Sequence, residues 1–246
     1  MKLTNNRMMN NRIWFIVPAA GTGSRMQADR PKQYLSLAGR PVIEHTLQRL
    51  TQALPDAAVV LCLNPDDPWW PDISTPDCEL HLAEGGKERC DSVLNGLNLL
   101  SGKAADNDWI LVHDVARPCV RTDDIRNLVS SLQDDETGGI LALPVADTMK
   151  RAADQNPCVS RIEKTVDRNQ MWHALTPQMF RYGLLKSCLE RALAEGVQIT
   201  DEASAVEWGG YQPALIKGQR DNLKITHPDD LWFAELFLNA QQADSE

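Results

Sequence analysis

The chain has 246 residues, 43% of them hydrophobic, and a formal net charge of −9. That length suits one large α/β domain with at most an appendage, at roughly 100–200 residues per domain, and buries enough apolar surface to need no disulfides. The acidic balance argues against the broad basic footprint of a nucleic-acid binder, and no apolar run approaches the roughly 20 residues of a membrane-spanning helix, so neither partner is expected.

Residues 1–12 read as a loose polar tail. Lys2, Arg7 and Arg12 precede only a short apolar stretch, Ile13–Val17, before Pro18, well under the roughly 7–15 residues of a signal-peptide core. Strand-like apolar runs follow at Ile13–Val17, Ala58–Leu63, Glu79–Ala83, Trp109–His113 and Ile140–Pro144. Between them, Val42–Leu54, Asp91–Leu100 and Thr122–Leu132 carry apolar residues at helical spacing. This alternation predicts a mostly parallel sheet with helices on both faces. From Val145 to Thr176 the rhythm changes. Thr148–Ala152 and Val159–Val166 surround a turn-prone Asp154–Pro157, which predicts a polar hairpin arm over about 145–176. Helical patterns return at Tyr182–Glu195 and Pro228–Ala240, so 13–246 reads as one domain with that arm. Cys62, Cys78, Cys90, Cys119, Cys158 and Cys188 stand singly with no C-x-x-C pair. That pattern indicates no zinc site or disulfide framework and suits the cytoplasm.

The first turn carries the strongest chemical signal: Pro18-Ala-Ala-Gly-Thr-Gly-Ser-Arg-Met26, then Pro31-Lys-Gln-Tyr34. Small residues directly after a strand let backbone N–H groups approach a phosphate. Arg25 and Lys32 add cations that strand-to-helix geometry does not require. A dinucleotide fingerprint would need glycine at Met26, and a Walker-A loop would need Gly-Lys-Ser/Thr, which is absent. His113-Asp-Val-Ala-Arg-Pro118 follows a buried strand, where ligands gather in open α/β sheets. His113 reads as a packing residue at the strand end. Gly85-Gly86 through Ser92 reads by itself as a helix entry with solvated polar residues.

Together these motifs resemble the 2-C-methyl-D-erythritol 4-phosphate cytidylyltransferases of non-mevalonate isoprenoid synthesis. The likeness runs from Ile13 to Leu238 and includes Gly85–Val93, Pro144–Lys150, Thr176-Pro-Gln178, Thr200-Asp-Glu-Ala-Ser204 and Asp221–Thr226. Val115 and Glu202 stand where alanine and aspartate are expected, and Leu175 where glutamine is frequent. The resemblance implies a doubly wound, Rossmann-like nucleotidyltransferase fold with a projecting β-arm, and a homodimer with swapped arms. It implies transfer of CMP from CTP to 2-C-methyl-D-erythritol 4-phosphate, with Mg²⁺ held mainly by the CTP phosphates; Asp114, at the end of its strand, reads either as a hydroxyl acceptor or as a contact to that Mg²⁺. It places CTP on Pro18, Ala19, Ala20, Gly21, Thr22 and Gly23, with Gly86, Arg89, Ser92 and Asp114. It places the acceptor on Arg117, Thr148, Arg168 and Thr176. Arg25 and Lys32 are expected to stabilise the transition state, and Arg168 and Lys224 to hold the attacking phosphate. Two other readings stay open: a cytidylyltransferase for another polyol phosphate such as ribitol 5-phosphate, and a non-catalytic nucleotide-binding module.

Overall fold

The structure, a computed structural model, describes residues 11–21, 23, 26, 28–154 and 159–243. In chain order the elements begin with β1 (Ile13–Pro18), the short pair β2 (Ser36–Leu37) and β3 (Arg40–Pro41), and α1 (Val42–Ala53). There follow β4 (Ala58–Leu63), β5 (Leu80–Glu84), α2 (Arg89–Leu99), β6 (Trp109–Val112), α3 (Thr122–Leu132) and β7 (Gly138–Pro144). The chain continues through β8 (Met149–Ala152), β9 (Ile162–Val166), β10 (Trp172–Arg181), α4 (Tyr182–Ala194), α5 (Glu202–Trp208), β11 (Ala214–Lys217) and α6 (Pro228–Ala243).

Seven strands form one sheet in the order β11-β7-β10-β6-β1-β4-β5. Neighbours are parallel from β6 through β1 and β4 to β5, and again between β11 and β7, while β10 runs antiparallel to both β6 and β7. The side-chain period of two explains the layering. Phe15 and Val17 of β1 pack with Leu47 of α1 and Leu128 of α3, whereas Trp14 and Ile16 pack with Leu97 of α2 and Leu189 of α4. Strand β4 is buried along its whole length, so its run Ala-Val-Val-Leu-Cys-Leu has no polar alternation, as a strand covered on both faces requires. Helix α1 stops at Ala53 because Pro55 disfavours helical backbone at Leu54.

Three features depart from expectation. The arm expected over 145–176 runs too far, because Trp172, His173 and Ala174 pair with Pro144, Leu143 and Ala142 in the main sheet. Pairing lapses between Ala174 and Gln178, where Pro177 has no N–H for the ladder; that break makes the segment read as a turn. The arm's regular part is the hairpin β8–β9, with Met149 opposite Val166 and Ala152 opposite Ile162. Helix α5 and edge strand β11 were not anticipated. The first opens with a capping box in which Asp201 Oδ1 accepts from Ser204 N at 2.9 Å and Ser204 Oγ from Asp201 N at 3.2 Å. Of the expected tail, residues 1–10 lie outside the described residues. Arg12 is anchored, its N–H donating to Asp108 Oδ1 at 3.0 Å and its guanidinium bonded to Glu79.

Candidate active site

Because β1, β5 and β6 run parallel, their C-terminal ends open on the same side, which is where α/β sheets bind ligands. The segments leaving these ends enclose a cleft of about 180 Å³, lined also by Lys32, Gln33 and Lys224. Pro18, Ala19, Ala20, Gly21, Lys32, Gly86, Arg89, Ser92, Asp114 and Lys224, each predicted from sequence, meet in this cleft. Four cations (Lys32, Lys87, Arg89, Lys224) face two carboxylates (Glu88, Asp114) there, a local positive balance in an acidic chain. Gly23 has φ +66° and lies against Lys32, a backbone conformation that favours glycine. Thr22 and Arg25 lie outside the described residues.

Glycine is required at 85 and 86 by contact. A Cβ on Gly85 would stand 2.1 Å from Ala20 Cβ, and one on Gly86 would stand 2.1 Å from Asp91 Cβ. The β5–α2 turn is thereby drawn against the first turn. Ser92 Oγ accepts from Gly86 N at 2.9 Å, and Asp91 Oδ2 accepts from Glu88 N at 3.0 Å, which fixes the entry to α2.

Asp114 is the electrostatic hub. Arg89 Nε donates to its Oδ1 at 2.8 Å, while Lys224 Nζ at 2.9 Å and Arg117 Nε at 3.4 Å approach Oδ2. Burial alone raises a carboxyl pKa; here Arg89, Lys224 and Arg117 outweigh it and hold Asp114 well below the usual carboxylate range. Arg89 feels the converse. Burial opposes its charge, but Glu202 and Asp114 hold it above the ordinary arginine range. Glu202 is 1% exposed, so its carboxylate requires this partner.

Beneath the hub a chain of hydrogen bonds has one consistent direction. The Arg117 carbonyl accepts, so His113 Nε2 donates to it at 3.1 Å. His113 Nδ1 then accepts from Thr176 Oγ1 at 3.0 Å, and Thr176 Oγ1 accepts from Asp114 N at 3.1 Å. Complete burial pushes the His113 pKa down to about 4, so the ring is neutral and structural, as the sequence suggested. Thr176, expected at the acceptor, has its hydroxyl engaged within the fold. Arg117 is likewise buried and donates through Nη1 to Asn222 O at 2.6 Å. Both stand behind the cleft wall rather than in it.

Thr148 and Arg168 are exposed on the arm side and do not line this cleft. Arg168 borders a separate open groove with Pro144, Val145 and Trp172. Sequence reasoning assigned no role to Gln178 or Glu202. Gln178 Nε2 donates to Asp201 Oδ2 at 2.8 Å and its Oε1 accepts from Ala203 N at 2.9 Å, seating the start of α5 and with it Glu202. The available signal was polar residues inside an otherwise apolar stretch, in Thr-Pro-Gln and Thr-Asp-Glu-Ala-Ser.

Residues 13–240 match the family model for 2-C-methyl-D-erythritol 4-phosphate cytidylyltransferase. A protein of that description from Ectopseudomonas mendocina is 50% identical over 234 residues, covering 94% of this chain and 97% of its own. One from Vibrio vulnificus is 51% identical over 230 residues, covering 92% and 94%. The crystal structure of the Francisella tularensis 2-C-methyl-D-erythritol 4-phosphate cytidylyltransferase superposes with a TM-score of 0.77 at 31% identity, covering 92% of this chain and 99% of that one.

Proposed function

The chain belongs to the 2-C-methyl-D-erythritol 4-phosphate cytidylyltransferase family, and on that premise we propose that the cleft of Lys32, Arg89, Asp114 and Lys224 is where CTP binds and is attacked. The enzyme transfers CMP from CTP to 2-C-methyl-D-erythritol 4-phosphate in the non-mevalonate pathway. An oxygen of the acceptor phosphate attacks the α-phosphorus, the bond from that phosphorus to the bridging oxygen breaks, and pyrophosphate leaves. No general base is needed, because a phosphate monoester is already ionised near neutral pH. Catalysis is therefore positioning and charge neutralisation. Lys32 and Arg25 stabilise the charged phosphorus centre, and Lys224, with Arg168 from the arm, holds the attacking phosphate. The observation that carries this reading is the convergence of Lys32 and Lys224 on a small-residue turn at the strand ends.

Mg²⁺ or a similar divalent cation enters in this reading as the counter-ion of CTP. Among the described residues no three His, Cys, Asp or Glu side chains converge on a metal position. Asp114, expected to touch the ion, has its oxygens engaged by Arg89, Lys224 and Arg117. These residues do not fit a resident metal site. The described cysteines are free thiols, which supports a reducing compartment, the cytoplasm; no described helix is long and apolar enough to cross a membrane.

A homodimer completes the reading. Val159 and Ile162 on the arm are 75% and 65% exposed, and a two-stranded hairpin is marginal in water unless packed. Pyrophosphate release with CTP, UTP, ATP and GTP, each with and without EDTA, tests the assignment together with Lys224→Ala. CTP alone should support rapid turnover, EDTA should abolish it, and Lys224→Ala should lower it about 10²-fold or more. Unchanged turnover in Lys224→Ala would remove the cleft from the reaction.

A further inference from the structure

Three consecutive carbonyl oxygens of the first turn are held by carboxamide side chains. Gln33 Nε2 donates to Ala19 O at 2.6 Å and to Gly21 O at 3.2 Å, and Asn64 Nδ2 donates to Ala20 O at 3.1 Å. Gln33 is 1% exposed, and a buried amide is costly unless its bonds are made. The Ala19 N–H is separately tied to Cys62 O at 2.8 Å.

A trans peptide is planar, and the N–H of each residue points opposite to the carbonyl before it. Holding Ala19 O therefore turns the Ala20 N–H away from Gln33, and holding Ala20 O turns the Gly21 N–H away from Asn64. Among the described residues neither N–H donates to another protein group, and both residues line the cleft. Rotating either peptide unit would exchange a donor for a carbonyl dipole of the wrong sign for a triphosphate. We infer that Gln33, supported by Asn64, is a positioning residue that presets the backbone donors of the first turn for the phosphate oxygens of the bound nucleotide. The inference rests on the reading of the cleft as the CTP site. It also explains why the side chain is an amide: a carboxylate of the same shape would oppose acceptor to acceptor.

That last point gives the test. In Gln33→Glu the ionised side chain has no proton to donate, while its protonated form regains one donor. Burial against the Ala19 carbonyl raises its pKa. The kcat/KM of the variant relative to native should be down about 10²-fold at pH 8 and should recover as pH falls towards 5.5. Gln33→Met, without donor or charge, should show a similar loss at every pH, and the exposed Asn64→Asp a smaller one. Circular dichroism at each pH confirms folding. A flat pH ratio for folded Gln33→Glu, or native-like kcat/KM in Gln33→Met, overturns the inference. Should neither buried variant fold, Asn64→Asp decides, and native-like kcat/KM there overturns it. If Lys224→Ala disables turnover while Gln33→Met does not, only the role of Gln33 fails. If Lys224→Ala is itself active, the reading of the cleft fails first.

Discussion

The Arg89 guanidinium and the Glu202 carboxylate form a two-point pair, Nη1 to Oε1 at 2.6 Å and Nη2 to Oε2 at 3.0 Å. Their geometry leaves Nε–H for Asp114 Oδ1 at 2.8 Å. Three directed bonds use the planar fork in a way that lysine cannot reproduce. Arg89 is thus held in one orientation where it lines the cleft. Glu202→Gln keeps the volume and removes the charge, leaving Arg89 short of a partner. Breaking one side of a buried pair costs about 3–5 kcal/mol. At about 2–4 °C per kcal/mol for a chain of this size, the thermal midpoint should fall by roughly 6–20 °C. Calorimetry that shows a fall of under about 2 °C would mean that the pair carries little stability.

His113 sets a pH dependence with a definite sign. Its folded pKa lies at about 4 against an ordinary 6.5, chiefly through burial. Between those values the unfolded chain binds the proton and the folded chain does not, so stability rises with pH. Its contribution is complete above about pH 6.5 and is lost progressively down to about pH 4, on the order of 3 kcal/mol. Asp114, held below the ordinary carboxylate range, acts only in more acid solution. Within the window His45, also lowered by burial, adds in the same direction and Asp124, raised by burial, opposes, so the difference between native protein and a His113 variant isolates this ring. Urea unfolding at intervals from pH 4 to 7 should give a steeper stability slope for native protein than for His113→Gln. Equal slopes would show that the ring is not kept neutral.

Strand β4 and helix α3 are legible in sequence because each has one simple rule. The first is apolar throughout and the second apolar at helical spacing. Strand β10 follows neither rule, since Pro177 interrupts its pairing and Gln178 is buried to seat α5. Tertiary contacts make it a strand. In the site, the glycine turn and Lys32 lie within one short segment and announce themselves. The pairing of Arg89 with Glu202 joins two helices far apart in the chain, so no local pattern carries it. Thr176 and Arg117 were legible as polar residues near the site, but their direction was not. Both turn inward, towards His113 and Asn222.

Lys32 Nζ donates to the Ile225 carbonyl at 2.9 Å, beside Lys224. The contact ties the segment after the first turn to the C-terminal segment, and in the proposed reading it lies where charge accumulates during transfer. Lys32→Ala should lower kcat by about 10²–10³-fold, the effect of losing one preorganised donor. Its thermal midpoint should stay within about 2 °C of native, since Lys32 is only half-buried where it lines the cleft and adds little to the core. A rise in KM for CTP with kcat unchanged would show instead that Lys32 binds ground and transition states alike.

Arg168 and Lys32 provide the test of the swapped arm. Arg168 is exposed and stands apart from the cleft that holds Lys32. If each arm crosses a twofold interface, Lys32 and Arg168 of one active site come from different chains. Lys32→Ala and Arg168→Ala should then each be nearly inactive as homodimers. In a mixed dimer one site collects both lesions and the other collects neither. Random re-pairing of equal amounts makes half the dimers mixed, and half of their sites native, so activity should return to about a quarter of native for isologous pairing. Co-expression of two differently tagged chains isolates the heterodimer directly, and its specific activity should be about half of native by the same arithmetic. Tagged heterodimers that stay as inactive as their parents would place Arg168 in the site of its own chain, and the arm would then serve each protomer alone.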